Sequence, residues 1–236
     1  MTTTFFYHQG AALNETVEFE SSEATHITKA LRMKSGDQID LTNGKGGLFL
    51  AELIIDKHRV SAVIVEQESA TDAPSELHLG IAPTKNADRM EWLVEKAVEI
   101  GVGEISMLNC ARSERSRISI DRLNRVAIAA LKQSRRTYLP RIHEAIDFER
   151  WLDSVHSPQR FIAHCVESIP RQSLKEVLGA EESLCIAVGP EGDFDEREIQ
   201  AALHASFRAV SLGSARLRTE TAALVAIHTY CLHHQK

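Results

Sequence analysis

The spacing of apolar residues changes period near residue 75. Upstream, "DQIDLT" (37–42), "GLFLAELIID" (47–56) and "RVSAVIVEQE" (59–68) alternate apolar with polar side chains and are rich in β-branched residues. That is the period of half-buried strands. "NGKGG" (43–47) predicts a hairpin turn between the first two, since its glycines and Asn43 accept positive φ. One short helix, around "SEATHITKALRMK", interrupts the strands. "EQESATDAPSE" (66–76) is polar, contains Pro74 and lacks an apolar period, so it reads as an interdomain linker.

Downstream, strand-like and helix-like runs alternate. "LHLGIAP" (77–83) predicts a buried strand and "DRMEWLVEKAVEIGV" a helix. In that helix Met90, Leu93, Val94, Ala97 and Val98 share one face, Asp88 with Glu91 fits a capping box, and Gly101 stops it. "EISMLN", "RFIAHC", "LCIAVG" and "FRAVSLG" follow as strands, and "DRLNRVAIAALKQS", "DEREIQAALHA" and "TETAALVAIHTYCLHH" as helices. The alternation predicts an α/β fold with a mostly parallel sheet covered on both faces. The expected domains are a β-rich one at 1–70 and an α/β one at 75–236, with no internal repeat.

Composition narrows the class. Of 236 residues, 43% are hydrophobic and 25% charged, as in an ordinary water-soluble domain with a sizeable core. Cys110, Cys165, Cys185 and Cys231 are scattered and three of them end or interrupt apolar runs, so they read as core residues of a reducing compartment. The start "MTTTFFYHQG" lacks the basic and apolar regions of a signal peptide, and no run has the length of a membrane span. A cytoplasmic location is expected. None of the histidines forms H-E-x-x-H, so no metal site is expected.

Charge adds a partner. Between Arg112 and Arg141 nine cations face only two acids, an excess of seven in a chain of net charge −6, which leaves −13 on the rest. That asymmetry suits a polyanion, although a solvated helix face would carry the same residues.

Two loops at carboxyl ends of predicted strands are candidates for chemistry, because open α/β sheets bind ligands there. One is Gly189-Pro190-Glu191-Gly192, with a buried-looking Glu191 and with Asp195 and Glu198 placed to cap the next helix. The other is "LGSARLRTETA" (212–222), which leads into the last helix. Their glycines let main-chain groups approach a flat adenine in a slot lined by Leu212 and Leu217. Neither G-x-x-x-x-G-K-[ST] nor G-x-G-x-x-G occurs, so a triphosphate loop and a Rossmann dinucleotide site are not expected.

"VGPEGDFDEREI" followed by "VSLGSARLRTETAALVAI" resembles the C-terminal signature of the ribosomal RNA small subunit methyltransferase E family, the 16S rRNA (uracil-1498-N3)-methyltransferases. "HITKALRMKSGDQI", "EKAVEIGV", "ARSERS" and "KQSRRTYLP" resemble further pieces of that family in order. Asp193 stands where the family commonly reads G-P-E-G-G, and Ala215-Arg216 where it often reads Arg then Ile. The resemblance implies a PUA-like β-barrel followed by a SPOUT domain with a deep trefoil knot, acting as a homodimer. It implies S-adenosyl-L-methionine as cofactor, held by Gly189, Pro190, Glu191, Gly192, Leu212, Gly213, Leu217 and Thr219, and 16S rRNA of the small ribosomal subunit as partner.

Methylation of uracil N3 needs its proton removed and the resulting anion stabilised. Arg218 is the first candidate for that cation, and Glu220 for a base or an orienting partner. Lys29, Arg32, Arg112, Arg115, Arg135 and Arg136 are candidates to grip phosphates. Two other activities fit many of the same residues: ribose 2′-O-methylation, and RNA binding without catalysis in ribosome assembly.

Overall fold

The computed structural model describes residues 4–57, 59–68, 75–114, 118–181 and 183–234. The chain divides into two compact units, Met1–Pro74 with Ile128–Leu139, and Ser75–Ala127 with Pro140–Lys236.

The first unit carries a mixed five-stranded sheet of β1 (Thr4–Tyr7), β2 (Thr16–Glu18), β3 (Gln38–Thr42), β4 (Leu48–Asp56) and β5 (Arg59–Glu68), in the order β1-β3-β4-β5-β2. β1 lies parallel to β3 and the other pairs are antiparallel. The alternation seen in the sequence buries Ile39, Leu41, Phe49, Ala51, Leu53, Ala62 and Ile64 in one core. The turn at 43–47 is as predicted for Gly44 and Gly46, at φ 71° and 92°. Asn43 works differently: its Oδ1 accepts from the amides of Lys45 and Gly47 at 2.9 and 3.0 Å, an Asx-type closure. Helix α1 (Ser21–Thr25) continues as a π-turn to Ala30, and Arg32 at φ 56° follows. This unit also includes Ile128–Leu139, a segment that the sequence places with the α/β half. Lys132 pairs with Glu23 at 2.8 Å, Arg135 pairs with Asp40, and the amide of Leu139 donates to the carbonyl of Gly44 at 2.9 Å.

The second unit is built on seven parallel strands. They are β6 (Leu77–Ile81), β7 (Glu104–Asn109), β8 (Arg141–Asp147), β9 (Gln159–Ala163), β10 (Gln172–Ser173), β11 (Leu184–Val188) and β12 (Arg208–Ser211). Their order is β10-β12-β9-β11-β6-β7-β8. The helices are α2 (Ala87–Ile100), the first half of α3 (Ile120–Ser134), α4 (Phe148–Ser154), α5 (Leu174–Val177), α6 (Glu196–His204) and α7 (Thr219–His234). β8, α4, β10 and α5 have no counterpart in the sequence reading. β8 is an edge strand whose side chains are largely exposed, so its apolar signal is weak.

The central strand β11 is buried at every residue, as a strand packed on both faces requires. Cys185 and Ala187 join Phe148, Trp151, Phe194 and Ile199 of the α4–α6 side in one core. α7 packs on α2 and contacts β6 and β11. Gly80 makes room for the Trp151 ring, since a Cβ there would lie 2.6 Å from its Cζ2. The cap of α2 is Asn86, whose side chain accepts from the amide of Asp88 at 2.9 Å, in place of the predicted Asp88. Gly101 ends that helix at φ 120°, and Asp195 with Glu198 forms the predicted capping box of α6. No described helix is long and apolar enough to cross a membrane.

Candidate functional site: a cleft at the carboxyl ends of the strands

The carboxyl ends of β9, β11 and β12 open into a cleft of about 980 Å³ within the second unit. Four stretches wall it: Arg112, the chain after β9 (163–171), the 188–193 loop and the 210–219 loop. The volume falls at the upper end of the roughly 300–1,000 Å³ range of small-molecule sites.

The loop after β11 is held from several sides. A Cβ on Gly189 would lie 2.9 Å from the buried Phe194 ring, so the turn requires glycine there. Asp193 adopts φ 64°, a left-handed conformation that glycine takes up more readily. The Asp193 side chain compensates: Oδ1 accepts from the amide of Phe194 at 2.8 Å, and Oδ2 from the amide of Cys165 at 2.7 Å. The second bond ties the loop after β11 to the loop after β9. On the other side, Arg112 Nη1 donates to the Gly192 carbonyl at 3.1 Å. Beneath it Glu198, 8% exposed, accepts from the amides of Ala111 at 2.7 Å and Asp195 at 2.8 Å. Glu191 is exposed, not buried, and braces the loop by accepting from the amide of Lys85 at 3.3 Å.

The second loop is more open. Gly213 sits at φ 130° with nothing within 4 Å of where a Cβ would be, so its constraint is conformational. Leu212 and Leu217 are half-buried and line the cleft. Arg216 and Arg218 are exposed and also line it. The carbonyl of Arg218 accepts from the amide of Ala222 at 2.8 Å, so this cation rides on the first turn of α7.

Gly189, Pro190, Glu191, Leu212, Gly213, Leu217, Thr219 and Arg218 thus meet in one cleft. Gly192 lies outside it and serves Arg112 through its carbonyl. Glu220 is outside it too: the carboxylate is 5% exposed, with Oε1 3.8 Å from Arg89 Nε on α2 and Oε2 without a hydrogen-bond partner. Arg112 lines the cleft but is engaged with Gly192 and, at 3.7 Å, with Asp195. In the first unit Lys29 and Arg32 are exposed. Arg135 lies 5.2 Å over the Phe5 ring, and Arg136 is half-buried. Arg115 lies outside the described residues.

Of the loop after β9 the sequence points only to His164, which ends a predicted strand near the expected pocket and reads equally as a core or surface histidine. The His164 side chain is buried and lines the cleft with both ring nitrogens lacking a hydrogen-bond partner. Burial pushes its pKa below the usual histidine range, so the ring is neutral at pH 7. Arg171 Nη1 fixes the backbone there by donating to the His164 carbonyl at 2.7 Å. Orphaned nitrogens beside an open cleft fit a polar ligand that satisfies them.

Residues 71–230 match the family model of an RNA methyltransferase domain, and residues 19–65 that of an RNA methyltransferase PUA domain. A cofactor-sized cleft in the first of these and a PUA-type sheet in the second place the protein among the RNA methyltransferases. The ribosomal RNA small subunit methyltransferase E of Rickettsia conorii is 31% identical over 220 residues, 92% of this chain and 89% of its own. A probable rRNA-methyltransferase from Porphyromonas gingivalis has a similar structure, with TM-score 0.90 and 37% identity over 98% of this chain and 100% of that one. A ribosomal RNA small subunit methyltransferase E from Neisseria gonorrhoeae bound to S-adenosyl methionine matches with TM-score 0.82 and 30% identity, over 96% and 95% of the two chains. The chain belongs to the ribosomal RNA small subunit methyltransferase E family.

Proposed function

We propose that this protein methylates N3 of a uridine in 16S rRNA of the small ribosomal subunit, with S-adenosyl-L-methionine as cofactor. The observation that carries the proposal is the meeting of the 189–191 and 212–219 loops in one cleft with Arg218 on its wall. Main-chain groups around Gly189 and Gly213, the Leu212 and Leu217 slot and the orphaned His164 ring would hold the cofactor. That cofactor supplies an electrophilic methyl group. The protein's own task is to orient the base in line with it and to exclude water.

Arg218 stabilises the negative charge that spreads over N3 and its flanking carbonyl oxygens once the proton leaves; a guanidinium stays charged throughout. Glu220 acts as a positioning residue, bracing the start of α7 against Arg89. Lys29, Arg32, Arg112, Arg115, Arg135 and Arg136 contact the RNA backbone, the first domain (1–70) mainly binding RNA and the second (75–236) transferring the methyl group. The same reading includes a cytoplasmic homodimer and a knot in which the chain after β12 threads the preceding loop. The return of α7 from the sheet margin to β6 and β11 supports that threading.

The test is transfer of labelled methyl groups to small subunits that lack the modification, followed by nucleoside digestion and mass mapping. The expected product is 3-methyluridine at one site. A label on ribose would assign the chain to 2′-O-methylation. RNA binding with neither incorporation nor cofactor retention would make it an assembly factor.

A further inference from the structure

Far from the cofactor cleft, at the amino ends of the strands, three neighbouring parallel strands bring together two imidazoles and a carboxylate. His78 on β6 pairs in register with Glu104 on β7, and Ser106 on β7 pairs with His143 on β8. Residues two apart on a strand point to the same face, so Glu104 and Ser106 share one side with the two histidines. His78, Glu104 and His143 each offer a donor atom within 4.8 Å of the others. A cleft of about 390 Å³ opens on them, with Trp151 and Ser154 in its wall.

We propose that His78, Glu104 and His143 form a binding site for one divalent transition metal ion of the zinc class. The donor set decides the class. Two imidazoles with one carboxylate suit zinc and leave a fourth position for water or the nearby Ser106 hydroxyl. Calcium and magnesium would need more oxygen donors than this group supplies. The oxygens of Glu104 already have separate tasks. Oε2 faces His143 Nε2 at 2.9 Å, while Oε1 is paired with the exposed Arg141. Arg141 thereby orients the carboxylate from outside, as outer-shell partners of metal ligands do.

His78 Nε2 is 2.8 Å from Ser106 Oγ and receives the Trp151 indole N–H at 3.4 Å. A ring nitrogen has a single lone pair, so a metal bound at Nε2 would displace this long indole contact. Zinc–nitrogen bonds of about 2.0–2.1 Å set donor separations of about 3.3 Å in a tetrahedron. The present separations reach up to 4.8 Å, so closure needs shifts of at most about 1.5 Å. His143, with 43% of its side chain exposed, has the freedom to make them. No residue of this group lines the cofactor cleft, so the site stands or falls independently of methyl transfer.

The test is titration of the untagged, chelator-stripped full-length protein with zinc by calorimetry, and with cobalt(II) by absorption. The wild type should bind one equivalent and develop the visible bands of four-coordinate cobalt. His143→Ala and Glu104→Gln should each weaken zinc binding at least tenfold and abolish those bands, while S-adenosylmethionine affinity stays unchanged. Glu104→Gln keeps the shape of the site and serves if the histidine variant folds poorly. Absence of stoichiometric binding by the wild type, or wild-type affinity in both variants, would overturn the site and leave an ion-pair network.

Discussion

Glu198 offers the sharpest test of how the cofactor cleft is held. Its buried carboxylate bridges two elements far apart in sequence, taking the amide of Ala111 at 2.7 Å on one oxygen and that of Asp195 at 2.8 Å on the other. Hydrogen bonds to charged groups contribute about 1.5–3 kcal/mol each. Glu198→Gln keeps the volume, converts one acceptor into a donor that faces an N–H, and should cost about 2–3 kcal/mol. Glu198→Ala loses both bonds and the capping box, leaving two amides without acceptors, and should cost about 3–5 kcal/mol. At roughly 2–4 °C per kcal/mol for a chain of this size, the glutamine variant should melt about 4–12 °C lower. The Ala111 bond also positions Arg112, which in turn holds the Gly192 carbonyl. S-adenosylmethionine should therefore bind about tenfold more weakly, a loss near 1.4 kcal/mol. Scanning calorimetry and cofactor titration read the two effects. If both variants melt within about 1 °C of wild type, the bridge is not what holds the loop.

Three further outcomes are expected. Arg218→Ala removes an exposed side chain and should leave the melting temperature within about 1 °C while lowering turnover about 10²–10³-fold in a methyl-transfer assay; a loss under tenfold would remove Arg218 from the chemistry. Burial pushes the His78 ring from its usual 6.5 down to about 4, so the unfolded chain takes up that proton at higher pH than the folded one. Metal-free protein should lose about 3 kcal/mol as pH falls from 6.5 towards 4, seen as a falling urea midpoint that His78→Gln flattens. Burial pushes the thiols of Cys110, which also faces Glu198, and of Cys185 up to about 12, whereas Cys165 is exposed on the cleft. A thiol reagent at pH 8 should therefore modify Cys165 before either of them, and saturating S-adenosylmethionine should slow that step severalfold by mass spectrometry.

Legibility followed the range of each interaction. The capping box of α6 is written in four consecutive residues, and Gly189 and Gly213 mark turns that only glycine makes easily, so these features could be read from the chain. The two cleft loops followed from one rule about strand ends. β8 escaped because an edge strand buries too little to show a period, and α4 because seven residues carry barely two turns of pattern. The choice of Asn86 over Asp88 as cap depends on where the chain leaves β6, which composition does not encode. The bonds from Ala111 to Glu198 and from Arg112 to Gly192 cross gaps in sequence that no local pattern spans. The His78, Glu104 and His143 group exists only once three strands have paired in register.

Ile128–Leu139 belongs to the same compact unit as the first five strands, although more than fifty residues of the other unit precede it in the chain. On a ribosome, the amino-terminal body therefore cannot be finished when its last strand emerges. It must wait, with the surface around Glu23, Asp40 and Gly44 uncovered, until residue 139 has left the exit tunnel. A fragment ending at Pro74 would keep that surface bare permanently. Release of the two halves as separate working pieces would need the 128–139 segment grafted back onto the first.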